Sequence, residues 1–163
     1  MLHEIIIRAI EVKDNAAIAK IIRDALEEFK ANKPGTVYFD KTTDNLFELF
    51  TSTHKSKYFI AVLNEKVIGG AGIFPTEGLP NETCELVKMY LAKEVRGLGL
   101  GRKMIEICLQ SAKQNGYRKI YLESMPELKN ALAVYEKFGF EYLSNPLGNS
   151  GHCGCDLWML KEL

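Results

Sequence analysis

The chain has 163 residues, 47% of them hydrophobic and 26% charged, which suits one folded unit with a sizeable core and excludes a disordered or fibrous polymer. Lys and Arg number 21 and Asp and Glu number 21, so no global field points to nucleic acid or to an anionic membrane surface. No apolar run has the length of a membrane-spanning helix, and the N-terminal run carries Glu4 and Arg8, unlike a signal peptide; a cytoplasmic location is expected.

Glu4 to Val12 reads as a first strand. Asp14 is placed to cap a helix in which Ile18, Ile21, Ile22, Ala25, Leu26 and Phe29 form one apolar stripe, ended by Lys33-Pro34-Gly35. Thr42 to Phe50 reads as a short second helix with Leu46, Phe47, Leu49 and Phe50 turned inward. Tyr58 to Leu63 and Lys66 to Phe74 form a hairpin about Asn64-Glu65. Glu82 to Leu91 is a fourth strand. Leu100 to Asn115 is a long helix, with Leu100, Met104, Ile105, Cys108, Leu109 and Ala112 at helical spacing and Gly116 as its stop. Lys119 to Glu123 makes a fifth strand. Ser124-Met125-Pro126-Glu127 has the form of a capping box, opening a helix from Met125 or Pro126 to Phe138 that Gly139 closes. Phe140 to Leu143 and Cys155 to Leu160 are the last strands, joined by a polar, glycine-rich loop. The order β-α-α-β-β-β-α-β-α-β-β, with no repeat or linker, makes residues 1–163 a single α/β domain.

Cys84, Cys108, Cys153 and Cys155 show no disulfide framework, and reduced thiols are expected. His152-Cys153-Gly154-Cys155 invites a metal, but Cys-x-Cys lacks the usual spacer and a second ligand pair, so no metal is expected.

Chemistry concentrates in Arg96-Gly97-Leu98-Gly99-Leu100-Gly101-Arg102, at a strand-to-helix junction. Alternating glycines leave backbone N–H groups uncovered, so an anion can approach them. The helix dipole and Arg96, Arg102 and Lys103 add positive charge, and the whole reads as a phosphate or pyrophosphate cradle. A plain glycine-rich turn is the alternative. The P-loop pattern is absent. A dinucleotide fingerprint would need a third glycine where Arg102 stands, and too little chain follows Glu123 to complete a doubly wound sheet.

The pattern [Q/R]-x-x-G-x-[G/A] does fit, on Arg96, Gly99 and Gly101, and here the chain resembles the GNAT superfamily of acyl-CoA-dependent N-acetyltransferases. Ala131 to Phe140, with Tyr135, Gly139 and Phe140 in place, resembles the family's other recognisable segment. The resemblance implies a mixed, mostly antiparallel sheet of about seven strands with flanking helices. It implies acetyl-CoA as cosubstrate, its pyrophosphate on the loop from Arg96 through Gly97, Leu98, Gly99, Leu100 and Gly101 to Arg102. The pantetheine arm would pair with the backbone of Met89, Tyr90 and Leu91 like an added strand. Ala92-Lys93 replaces the usual Asp-Pro, and Leu128 stands where many members carry a pantetheine-binding Asn.

Acetyl transfer from a thioester needs no covalent nucleophile, but an alkylammonium with a pKa near 10.4 needs a base, and the leaving thiolate an acid. Glu85 stands at the offset from Arg96 at which some family members carry a catalytic glutamate; a solvent-facing charge, or a pair with Lys88, is the alternative. Tyr135 takes the place of the family's proton donor, against a core tyrosine as alternative. The acceptor side would be built from residues 29–50 and 145–152, with Tyr38, Phe39, Phe47, His152 and Trp158 as a candidate aromatic wall. The expected partners are acetyl-CoA and an amine of a small molecule or peptide; a homodimer is left open. A non-catalytic acyl-CoA-binding module is the competing function, and it would not need Glu85 or Tyr135.

Overall fold

The computed structural model describes residues 4–163. Seven strands, β1 (Ile6–Ala9), β2 (Lys57–Leu63), β3 (Lys66–Phe74), β4 (Thr83–Leu91), β5 (Lys119–Ser124), β6 (Glu141–Leu143) and β7 (Leu157–Glu162), lie in one sheet in the order β1-β2-β3-β4-β5-β7-β6. Every neighbouring pair is antiparallel except β4 and β5. Helices α1 (Asn15–Glu28) and α2 (Leu46–Ser52) cover one face. Helices α3 (Leu100–Gln114) and α4 (Lys129–Lys137) cover the other.

The apolar stripes explain that division. Ile18, Ile22 and Leu26 of α1 pack with Leu46, Phe50, Tyr58 and Ile60. Met104, Ile105 and Cys108 of α3 pack with Ile120, Leu122, Leu132 and Tyr135. The β2–β3 hairpin closes through Asn64 and Glu65 at φ 50° and 64°, the signature of a two-residue turn whose twist matches the strands.

Two irregularities of β4 shape everything that follows. Its pairing with β5 stops early: Thr83, Cys84 and Glu85 face Lys119, Ile120 and Tyr121, and beyond them the parallel strands part. On its other edge, the β3–β4 register slips between Gly70 and Gly72, which places a bulge at Lys88 and Met89, with Lys88 at φ 50°. The Tyr58 hydroxyl donates to the Lys88 carbonyl at 2.7 Å and so braces the bulge. Glycine in β3 makes this possible, because a Cβ on Gly72 would lie 2.6 Å from the Tyr58 ring and 2.5 Å from the Lys57 carbonyl.

Local signals lost to tertiary structure in three places. Asp14 does not cap α1 with its side chain; it is buried, takes 2.7 and 3.0 Å bonds from Arg8, and accepts the Glu11 N–H at 2.8 Å. Residues 41–44 form a separate 3-10 turn, so the second helix starts later than its pattern suggests. The capping box does not form. Ser124 extends β5 opposite Leu157, Glu127 pairs with Lys33, and a turn closed by the Leu128 N–H and Met125 carbonyl (3.0 Å) delays α4 to Lys129.

Candidate active site

The glycine loop joins β4 to α3 through a 3-10 turn at Lys93–Val95. Gly97 and Gly99 have φ 78° and 84°, and nothing lies within 4 Å of where their Cβ atoms would be. This is open space over a helix start. The first bond of α3 runs from the Lys103 N–H to the Gly99 carbonyl, which leaves the preceding N–H groups for an anion. Gly101 differs, since its Cβ would point at the Met89 methyl (3.3 Å) and Leu91 (3.6 Å); it lets α3 lie against β4. Leu98 is 73% exposed at the rim. Arg96 turns inward: it donates twice to the Leu91 carbonyl at 3.1 Å, pairs with Glu28, and stacks 4.9 Å from the Phe29 ring. It therefore ties the end of β4 to the end of α1. Arg102 stays exposed, over Phe138 and beside Glu106.

The loop opens onto the gap between β4 and β5. Met89 and Leu91 face the α3–α4 side, Tyr90 the α1–α2 side, and their backbone on the β5 edge has no strand partner. Tyr135 of α4 is buried on the α3–α4 side, with its ring against Phe140 and its hydroxyl 3.9 Å from the Met89 sulfur. Burial raises its pKa, so the phenol stays protonated.

Glu85 lies on the opposite side of β4, in a small cavity of about 50 Å³ lined by Thr36, Lys88, Tyr90, Glu123, His152 and Cys155 among others. It is 4% exposed, and Thr76 donates to it at 2.6 Å. Burial, together with the charge of Glu123, pushes its pKa up to about 7 against the pull of the Thr76 bond, His152 and Lys88. Glu123 accepts from Tyr121 (2.7 Å) and from Ser150. His152 stands 2.7 Å from Asp40 through Nε2 and 3.8 Å from Glu123 through Nδ1. Burial works against the Asp40 charge, but the His152 bond and nearby cations hold its pKa below the usual carboxylate value. The Gly154 N–H donates to the Gly35 carbonyl at 2.9 Å, which pins the β6–β7 loop to the α1–α2 loop over the cavity.

A glycine loop between strand and helix, a parted parallel pair and a buried carboxylate beside it form one arrangement, and comparison with known proteins gives its family. The sequence model described as "Acetyltransferase (GNAT) family" matches residues 18–140. The chain belongs to that family. It is 36% identical over 160 residues to an uncharacterized N-acetyltransferase, YjgM, of Escherichia coli K12, covering 97% of this chain and 95% of the relative. It is 29% identical over 119 residues to human N-acetyltransferase 8, covering 69% of this chain and 52% of that protein. Among solved structures, a GNAT-family acetyltransferase of Staphylococcus aureus Mu50 superposes with a TM-score of 0.84 at 18% identity, over 98% of this chain and 99% of the other. YncA of Salmonella typhimurium, solved with acetyl-CoA, superposes with a TM-score of 0.75 at 21% identity, over 98% of this chain and 94% of the other.

In this acetyltransferase the expected residues fall into two groups. Gly97, Gly99, Gly101, Arg102 and the Met89–Leu91 backbone border the loop and gap, while Glu85 and Tyr135 flank β4 from opposite sides. Of the candidate aromatic wall, only His152 reaches the cavity. Tyr38 bonds Glu27 on the surface, Phe39 is 59% exposed, and Phe47 and Trp158 lie elsewhere. The sequence reading missed Asp40, Thr76 and Glu123 as site residues; Glu123 was visible only as an acid at a strand end. Lys88 lies 3.9 Å from Asp40. His152 joins carboxylates, not the neighbouring cysteines: Cys153 is exposed, and burial pushes the Cys155 thiol up to about 12. Ligand atoms of Glu85, Glu123 and His152 lie within 4.8 Å of one another, a donor set that a cation could use. Three hydroxyl donors already occupy its two carboxylates.

Proposed function

We propose that this acetyltransferase moves an acetyl group from acetyl-CoA to a primary amine of a small molecule or peptide, by direct attack within a ternary complex. The observation that carries the reading is the β4–β5 gap, which runs from the glycine loop at one end to Glu85 at the other. The N–H groups at the start of α3 would hold the pyrophosphate, helped by Arg102 and Lys103, while Arg96 fixes the loop's approach. The unpaired edge of Met89, Tyr90 and Leu91 offers an extended chain the bonds of a missing strand. A Thermoplasma acidophilum N-acetyltransferase of the same fold, with a TM-score of 0.71 at 17% identity, was solved in complex with coenzyme A, which supports that choice of ligand.

Glu85 then takes the amine proton directly or through water. A carboxylate whose pKa is raised to about 7 is matched to that task, being partly ionised near neutral pH and more basic than an ordinary carboxylate. Tyr135, neutral and buried beside Met89, would return a proton to the departing thiolate. None of the described helices is long and apolar enough to cross a membrane, which fits a cytoplasmic enzyme. Incubation with acetyl-CoA and a panel of amines, read as free thiol released, tests the reading. Amine-dependent thiol release is expected. Tight acetyl-CoA binding by calorimetry with no release for any amine would make the chain a binding module instead.

A further inference from the structure

Lys88 is the one lysine or arginine in the wall of the cavity, and the protein leaves it short of partners. Its side chain is 7% exposed. Its ammonium carries three donors, yet among the described residues no acceptor lies within hydrogen-bonding distance. The carboxylate oxygen in reach, Asp40 Oδ2, is 3.9 Å away and is already engaged by His152 at 2.7 Å. The ammonium nitrogen is not wholly enclosed, so its donors stay open to water or to a ligand in the cavity. The backbone goes to some length to keep it there: Lys88 sits at φ 50°, in a bulge braced by the Tyr58 hydroxyl. A lysine held in a region of φ that favours glycine is the kind of strain that sites store.

The cavity is therefore polar at two poles. Glu85 and Glu123 form an acidic one, with His152 between them and Asp40, and Lys88 forms the other. An acceptor that carried only an amine would satisfy the first pole and leave the second bare. The geometry points to a free amino acid as the acceptor, its amine on Glu85 and Glu123 and its carboxylate on the Lys88 ammonium. This assignment rests on the transferase reading above. A carboxylate suits the place better than a phosphate, because Asp40 and Glu85 would repel a dianion more strongly than a single charge. Burial lowers the Lys88 pKa while Asp40 and Glu85 raise it, and an added carboxylate would raise it further.

The experiment compares three acceptors of one carbon skeleton, namely a free amino acid, its carboxamide and the amine lacking the carboxyl group, across several side chains. The wild-type enzyme should favour the free acid by tenfold or more in kcat/KM over both others. Lys88→Met should reduce that preference to threefold or less. Lys88→Asn, which tolerates the positive φ, should do the same if Met disturbs the bulge, and Lys88→Arg should restore part of the preference. Thermal stabilisation by the free acid, but not by the amide, in the presence of coenzyme A gives a readout independent of turnover. Amides turned over as well as acids, or a preference that survives in Lys88→Met and Lys88→Asn, would overturn the assignment and leave acetyl transfer intact. Thiol release with none of the three classes, and no stabilisation by any, would count against the transferase reading itself.

Discussion

The two halves of the site are built by opposite means. The half facing the glycine loop is made of backbone from one short segment: N–H groups at the start of α3, two glycines at positive φ, and the free edge of β4. The half around Glu85 is made of side chains from five separate places: the α1–α2 loop, the β3–β4 loop, β4, β5 and the β6–β7 loop. A backbone site is insensitive to most side-chain changes but intolerant of a Cβ in the wrong place. A side-chain site can be altered one residue at a time, because each member has its own anchor. The difference teaches where such a fold is constrained and where it is free to change its substrate.

The comparison is tested most severely by Glu85→Gln. It removes a base but keeps shape and hydrogen bonding, so kcat/KM for the amine should fall by about 10²–10⁴-fold while coenzyme A affinity stays unchanged. In the wild type, activity should rise with pH through about 7 as Glu85 ionises, and the variant should lose that inflection. High pH should partly rescue it, because more of the amine is then neutral. The same shift acts on stability with a definite sign. A carboxyl whose pKa rises on folding stabilises the protein below its unfolded value and loses that contribution as pH climbs past about 7. Glu85→Gln should thus melt higher than the wild type at pH 8, and the gap should close below pH 5. Tyr135→Phe comes next, with kcat reduced by about 10²-fold and KM for acetyl-CoA nearly unchanged, since the ring's packing on Phe140 survives. Wild-type turnover would mean that the thiolate leaves unaided.

Gly99→Val probes the backbone half. It puts a β-branched residue at φ 84° over the cradle, and coenzyme A should bind about tenfold more weakly by calorimetry, roughly 1.4 kcal/mol. The variant should leave the pH profile of the remaining activity in place. If Gly99→Val moved that profile, the halves would not be independent. The smallest effect on activity is expected from Tyr58→Phe. It deprives the Lys88 carbonyl of its donor, costing about 1–3 kcal/mol in denaturant unfolding, with a loss of only a few-fold in kcat/KM.

The same contrast governs what the sequence discloses. The succession of strands and helices, the β2–β3 hairpin and the loop at Arg96–Arg102 were legible because each is encoded by neighbours in the chain: a periodicity, a turn pair, a run of glycines. Glu85 and Tyr135 are singled out in the sequence only through resemblance to a family, since their neighbours in the chain say little about what faces them. Asp40 and Glu123 were not legible as a pair, because a three-dimensional meeting of loops leaves no periodic trace. Capping failed as a guide at Ser124 for a related reason: pairing with Leu157 claimed that residue for β5, and a strand register outweighs one local hydrogen bond. Arg96 matched the motif, yet its guanidinium serves the Leu91 carbonyl and Glu28, a partnership that the motif does not encode.

The early parting of β4 from β5 has a mechanical consequence. Three register pairs at one end are the strand-to-strand pairing between the β1–β4 part of the sheet and the β5–β7–β6 part, and the core beneath α3 and α4 supplies the rest of the coupling. The sheet is accordingly forked, joined at Thr83–Glu85 and open toward the glycine loop. Amide protons along the free edge beyond Glu85 should exchange with solvent quickly in the unliganded protein. A strand-like ligand laid in the opening would act as a stitch between β4 and β5, slowing that exchange and stiffening β7, which it need never touch directly.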